Sequence, residues 1–320
     1  MTQTLTHHTG GPTAASVQGN VMCVMAVLLF ATGFPAAEEL LKTWGPISLI
    51  TARCILACAF LLPIWLLMDG WRVVAGAPWL RGLWIGALGF GTGTVLLLVV
   101  QDYTDPVTAV LIAATMPVSA VALEVVLDGR RLTRNFMLGT VLVLVGGFLA
   151  TGANITDGQF GGGVLFGLLA SVLFAWGSRK TVKGLPEMSA MGQITITLIG
   201  AMMFCLATYD VFVIFGLPGT DMAPLGVWGW SMLLTFAVGA MAISQAFWLL
   251  GVARLGVGIA SFHLNAAPFY VMLILLMMGG AWDWQRALGA GVLGCGVVLA
   301  QRRRKPPVAT VHVFSSTRRL

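Results

Sequence analysis

Apolar residues run through this chain in ten long blocks, and the polar residues collect in the short connections between them. The blocks lie at about residues 20–41, 46–68, 80–100, 106–127, 134–152, 161–181, 189–209, 227–251, 257–278 and 286–301. Each is close to the roughly 20 mostly apolar residues that a bilayer-spanning helix needs. The pattern therefore predicts an all-α, polytopic membrane protein with about ten transmembrane helices. The connections carry helix breakers where they are needed: Asp69-Gly70, Asp105-Pro106, Asp128-Gly129 and Leu217-Pro218.

Composition agrees with the pattern. The 320 residues are 58% hydrophobic and 9% charged, with a mean hydropathy of +0.91. So little charge cannot cover a soluble surface of this size, so lipid is the solvent for most of the chain. In a soluble protein a net charge of +6 would point to nucleic acid. Here the basic residues sit in clusters between apolar blocks, and nucleic acid is not an expected partner.

The placement of charge predicts topology. Alternate connections hold Arg72 and Arg81; Arg130, Arg131 and Arg134; Arg179, Lys180 and Lys183; Arg254; and Arg302, Arg303, Arg304 and Lys305. The others hold Glu38, Glu39, Asp102, Asp105, Asp157, Asp210, Asp221 and Asp283, with Lys42 and Arg286 as basic exceptions. Basic loops stay on the cytoplasmic side, which predicts a bacterial inner-membrane protein with both termini cytoplasmic. Residues 1–18 contain no Lys or Arg, unlike a secretory signal. They read as a flexible N-terminus, 1–19, that includes the His7-His8 pair. The tail 302–320 reads as a basic cytoplasmic segment near anionic lipid. Trp44, Trp71, Trp79, Trp228, Trp230, Trp282 and Trp284, with Trp65, read as an interfacial belt. Cys23, Cys54, Cys58, Cys205 and Cys295 read as small buried hydrophobes.

The blocks also repeat. Leu29-Phe30-Ala31-Thr32-Gly33 matches Leu173-Phe174-Ala175-Trp176-Gly177, an offset of 144 residues. Leu138-Gly139, Gly146 and Leu149-Ala150 match Leu288-Gly289, Gly296 and Leu299-Ala300 at an offset of 150, and Pro117 matches Pro268 at 151. Five helices is an odd number, so the second half enters the membrane from the opposite side. The expected organisation is an inverted repeat, residues 20–153 and 161–301, as in secondary transporters.

Candidate chemistry lies where polar or helix-breaking residues interrupt the apolar blocks. Pro117 and Pro268 fall mid-helix, where a freed carbonyl is tolerated against protein or a wet cavity; an ordinary packing kink is the alternative. Arg53 lies about two turns into its helix. It suits a substrate carboxylate, or else pairs with Glu38 or Glu39 or snorkels outward. Thr32, Gln245, His263 and Asn265 would hydrogen-bond a neutral or zwitterionic solute, and His263 could couple transport to protons. Ser244, Gln193, Thr195 and Thr197 suit interhelical bonds at least as well. Phe34, Trp176 and Trp248 lie deeper than the belt and either pack in the core or stack on a planar ligand. No GxxxxGK[ST], HExxH or GxSxG motif occurs, so neither a cofactor, a metal nor enzymatic activity is expected. The expected partners are the bilayer and a small-molecule substrate, acting on a monomer, with a dimer left open.

The chain resembles the drug/metabolite transporter superfamily, specifically its EamA-type ten-helix members, over roughly residues 20–301. The resemblance rests on Phe30-Ala31-Thr32-Gly33-Phe34, Pro46 with Ala52-Arg53, Met116-Pro117, Leu132-Thr133 and Leu138-Gly139. In the second half it rests on Phe174-Ala175-Trp176-Gly177, Phe247-Trp248-Leu249-Leu250, Ala267-Pro268 and Leu288-Gly289. Where members commonly show Gly-Glu-Arg after the fourth and ninth helices, this chain reads Gly129-Arg130-Arg131 and Gly279-Gly280-Ala281. The resemblance implies export of small metabolites, commonly amino acids, through a cavity between the halves. The alternatives are a carrier of lipophilic drugs or other metabolites, a membrane-embedded enzyme acting on lipid, and a scaffold.

Overall fold

The computed structural model describes residues 14–129, 133–151, 159–255, 260 and 263–301. His7-His8, Arg130, Arg131, Asp157 and the tail from Arg302 lie outside the described residues. Ten helical stretches fall on the ten predicted blocks: α1 Ala14–Leu41, α2 Pro46–Asp69, α3 Trp79–Tyr103, α4 from Pro106–Ala114 and Met116–Asp128, and α5 Arg134–Thr151. The second half follows with α6 Gln159–Gly184, α7 Ala190–Ile214, α8 Val227–Leu255, α9 Leu264–Met277 and α10 Trp284–Gln301. Among the described residues the backbone is otherwise turns, one short helix at Trp71–Ala75 and one isolated antiparallel bridge, Trp44–Met222. Helices dominate because hydrocarbon offers no partner to a backbone amide, and a helix satisfies its own. α1 starts at Ala14, so residues 14–19, expected to be flexible, extend the first helix.

Local chemistry fixes the ends. Pro46 opens α2 from Gly45, Asp105 accepts hydrogen bonds from the amides of Val107 and Thr108 at the start of α4, and Ser189 accepts from Gly192 at the start of α7. Gly129 and Gly279 end α4 and α9 at the same place in the two halves, with φ of +65° and +94°. Only glycine adopts that conformation freely. The absent Gly-Glu-Arg motif thus keeps its structural glycine in both copies.

The sequence repeat is matched by a repeat of contacts. α1 packs on α8 and α9, and α6 packs on α3 and α4; α2 packs on α8, and α7 on α3. The pairs α2–α7, α4–α9 and α5–α10 are their own counterparts. Close approaches at the helix crossings obey the same exchange. A Cβ on Gly33 would lie 2.7 Å from the Ala240 Cβ, and one on Gly89 would lie 2.6 Å from the Gly177 Cα. In the α5–α10 crossing, a Cβ on Gly139 would meet the Ala300 amide nitrogen at 2.5 Å, and one on Gly289 that of Ala150 at 2.3 Å. These crossings lie within the chain, and small residues are what let such backbones meet.

The loops knit into two ends. At one, the Trp44 indole donates to the Ala223 carbonyl (2.8 Å), Arg286 pairs with Asp105 (2.6 Å) and Gln285 donates to Leu149 (3.1 Å). Lys42 donates to Glu39 there, and that carboxylate raises the Lys42 pKa above its ordinary value. At the other end, Ser189 bonds Asp69 and Arg81 donates to Gly184 (3.1 Å). α1 begins beside Leu255 and Arg254 at this second end, where α6 finishes. The two halves therefore run through the bundle in opposite senses. Trp65 does not join the aromatic belt: it is 0% exposed, donates to Asp69 (2.9 Å) and tilts against Trp79. Cys295 is exposed rather than buried.

Candidate functional site

Two kinds of irregularity interrupt the spans, and both occur twice. α3 carries a π-helical segment at Gly86–Gly91, and α8 carries one at Thr235–Ile243. π turns are uncommon, occur often at functional sites, and re-aim the side chains beyond them. α4 breaks at Thr115, and α9 carries a 3₁₀ turn at Leu264–Ala266 that follows helical Ala260 and His263. Pro117 and Pro268 follow these breaks in the first turn of the new segments. The paired prolines thus start helical segments rather than kinking continuous ones, because their missing N–H is harmless in a first turn.

The Thr115 break is held by hydroxyls. Thr115 Oγ1 lies 2.7 Å from the Ile112 carbonyl and 3.0 Å from Ser171 Oγ, which lies 2.9 Å from Ser119 Oγ. This triad fastens α4 to α6. Gln101 similarly ties α3 to α1, donating to the Phe34 carbonyl at 2.8 Å. Neither arrangement shows in local spacing, because each links residues more than 50 positions apart.

The predicted site residues separate into groups. Phe34 packs edge-on to Phe30 at 5.3 Å, and Phe34 and Trp248 border one apolar cluster that includes Val110, Ala267 and Val271. Pro268 is buried at the head of the α9 segment, next to Ala267 of that cluster. Thr32 returns its hydroxyl to its own helix at Leu29 (2.6 Å). His263 Nδ1 lies 3.2 Å from the Ala260 carbonyl. Gln245 is half-buried in α8, just beyond the π segment. Trp176 stands apart on α6, with the Lys180 ammonium 6.0 Å from its ring centroid. Ser244 donates to the Ala26 carbonyl (2.9 Å), and Gln193 to the Leu185 carbonyl (2.7 Å), so both serve packing. Asn265 lines an apolar groove of about 560 Å³ with Phe269, Leu142 and Cys295.

Arg53 lies elsewhere, on the face of α2 that meets α7 and α8. Seven residues of helix, about 10 Å at 1.5 Å each, separate it from Pro46. Its guanidinium lies 4.0 Å from the centroid of the Phe236 ring, on the α8 π segment. Its Nε is buried without a hydrogen-bond partner. Neither alternative pairing with α1 is formed: Glu39 is taken by Lys42, and no ion pair joins Glu38 to Arg53. Beside it, Cys54 and Cys205 face each other across 3.9 Å at a separation of 151 residues, the offset of the repeat itself. Thr51 donates to the Cys205 carbonyl at 3.2 Å. The pseudo-twofold axis therefore passes next to Arg53. Burying an ionised guanidinium costs several kcal/mol even after relaxation, whereas a cation over an aromatic ring returns about 0.5–2 kcal/mol. Among the described residues, no three of His, Cys, Asp and Glu converge as metal ligands.

Comparison with known proteins agrees with this architecture. A solved structure described only as a crystal structure of a protein is 19% identical and superposes with a TM-score of 0.64. The match covers 91% of this chain and 98% of that one, and at this identity it establishes the fold alone. None of the curated proteins matches. The model of the EamA-like transporter family matches residues 17–152, which run from α1 to the end of α5. Over those residues the chain matches the EamA-like transporter family, and its long apolar helices make it a multi-pass membrane protein.

Proposed function

We propose that the chain is a secondary exporter of small neutral or zwitterionic metabolites, foremost amino acids with hydrophobic or aromatic side chains, working by alternating access. One observation carries this reading: the contacts between the halves, the π segments and the broken spans all occur in exchange-related pairs. A frame built twice with opposite sense has two equivalent arrangements, one open to each side. Broken spans supply the points at which helices bend between them. Phe34, Trp248 and their apolar cluster suit a hydrophobic side chain, while Gln245, His263 and Asn265 offer uncharged hydrogen-bonding groups. The alternation of basic and acidic loops supports a bacterial inner-membrane location with both termini cytoplasmic.

The test is uptake of labelled phenylalanine and leucine into proteoliposomes, with and without a proton gradient. Saturable uptake above empty liposomes supports the reading, and gradient dependence would identify proton coupling. Absence of uptake of any amino acid by folded protein would refute the substrate class. A second reading, a carrier for lipophilic solutes, is favoured by the apolar groove at Asn265; competition by such solutes regardless of polar substitutions would support it.

A further inference from the structure

We propose that Arg53 is an anion-recognition residue that takes the carboxylate of the transported solute, with Phe236 as the plate on which its guanidinium rests. This rests on the transport reading and specifies the charge its substrate carries.

The argument begins with what Arg53 lacks. Arginine remains protonated in proteins; Arg53 as a whole is half-buried with its Nε enclosed, and a charge so placed favours an opposite one. Among the described residues its guanidinium meets a ring and no carboxylate: Phe236 lies 4.0 Å away, and Nε is enclosed with no acceptor. On the same stretch of α2, the Thr51 hydroxyl is committed to the Ile47 and Cys205 carbonyls, and the Cys54 thiol faces Cys205. Thiols are weak acceptors and do not replace a carboxylate. Among the described residues no carboxylate pairs with it, which leaves its place open to an anion from outside the chain.

The frame itself does not require the charge. At the repeat offset of 151 residues, the position equivalent to Arg53 is Phe204. Phe204 packs on α3 at Gly91, where an added Cβ would meet it at 2.8 Å. A packed phenylalanine therefore satisfies the same place in the other half, and Arg53 breaks the symmetry at the axis. A substrate site needs such a break, since one solute cannot be held identically by two related halves.

The geometry also selects the anion. Phe236 covers the guanidinium, and the planar fork suits a carboxylate in two parallel hydrogen bonds. Arg53 is the sole Lys or Arg of the α2 helix, so a monoanion matches its charge better than a phosphate dianion. Arg53 and Phe236 lie on α2 and α8, helices from different halves. A solute bound between them would contact both halves at once.

The test uses the full chain in detergent with phenylacetate, phenylalanine, phenylalaninamide and chloride as probes, read as ligand-induced shifts in melting temperature. Phenylacetate and phenylalanine should stabilise the wild type, and the amide should bind at least about 30-fold more weakly, the low end for breaking a charged pair. Arg53→Gln should abolish the carboxylate-dependent shift while melting, without ligand, at or above the wild-type temperature. A purely structural arginine would instead lower that temperature. Arg53→Lys should retain weakened binding. Phe236→Leu, which keeps the charge and removes the plate, should weaken carboxylate binding less than Arg53→Gln does. Equal shifts from acid and amide, an unchanged response in Arg53→Gln, or a shift from chloride as large as that from phenylacetate would overturn the proposal. If the wild type transports phenylalanine but fails this test, the carrier reading stands and the role of Arg53 falls. Carboxylate binding without amino-acid uptake has the opposite meaning.

Discussion

Gly146 and Gly147 are neighbours on α5, and their opposed surroundings make a sharp test of the crossing with α10. A Cβ on Gly146 would lie 2.3 Å from the Leu293 nitrogen and 2.7 Å from the Gly289 carbonyl oxygen, both backbone atoms that cannot rotate away. Ordinary contact begins near 3.4 Å, so Gly146→Ala requires the helices to part by about 1 Å. A gap of that size forfeits a quarter to a half of the dispersion in each contact along the seam. Overpacking costs about 1–3 kcal/mol, and a backbone obstacle places this site at the upper end. Alanine returns about 1 kcal/mol of helix propensity, which leaves a net loss of about 2 kcal/mol. A Cβ on Gly147 would meet nothing within 4 Å, so Gly147→Ala should gain up to about 1 kcal/mol. Two adjacent, chemically identical substitutions should thus differ by about 3 kcal/mol. Unfolding in mixed micelles titrated with SDS measures the difference. Gly296→Ala, the exchange-related site with Val143 N and Gly139 O both at 2.7 Å, should behave like Gly146→Ala. If the Gly146 and Gly147 variants agree within about 0.5 kcal/mol, the ordinary scatter of surface changes, the crossing described here is wrong.

Asp105 caps α4 and also pairs with Arg286. Asp105→Ala should therefore cost about 0.5–2 kcal/mol for the cap alone, and Arg286→Ala only about 0.2–1 kcal/mol, because both partners are about one-third exposed; the same unfolding assay ranks them. Trp65→Ala should cost about 3–5 kcal/mol, the range for deleting a buried aromatic, while Trp71→Ala, at a side chain 71% exposed, should cost far less. Treatment with copper phenanthroline should join Cys54 to Cys205, the two thiols losing two protons and two electrons to the oxidant. The bond would staple α2 to α7 at the axis and stop uptake, and Cys205→Ser should make transport resistant. Peptide mapping that finds the disulfide while uptake continues at full rate would refute movement at that place.

Much of the fold was legible because lipid imposes one rule on every residue at once. A block such as 190–214 must be helical wherever it packs, and an offset of 150 residues between glycines such as Gly139 and Gly289 needs no coordinates to be seen. The site was less legible. Trp65 read as a belt residue because its position near a helix end is the same whether the ring faces lipid or Asp69. Pro117 and Pro268 could be matched across the repeat, but whether they kink a helix or begin one depends on the backbone just before them.

The sequence by itself determined that the chain is helical, membrane-embedded, duplicated and arranged with alternating loop charge, since these follow from composition and order along one dimension. Only the tertiary structure decided that Cys54 meets Cys205, that Gly33 and Gly89 are crossing points, and that Arg53 faces Phe236 and no carboxylate. Arg53 and Phe236 stand 183 residues apart, and no spacing rule connects them. Their meeting depends on how ten helices share one interior, in which each helix's facing is set by all the others.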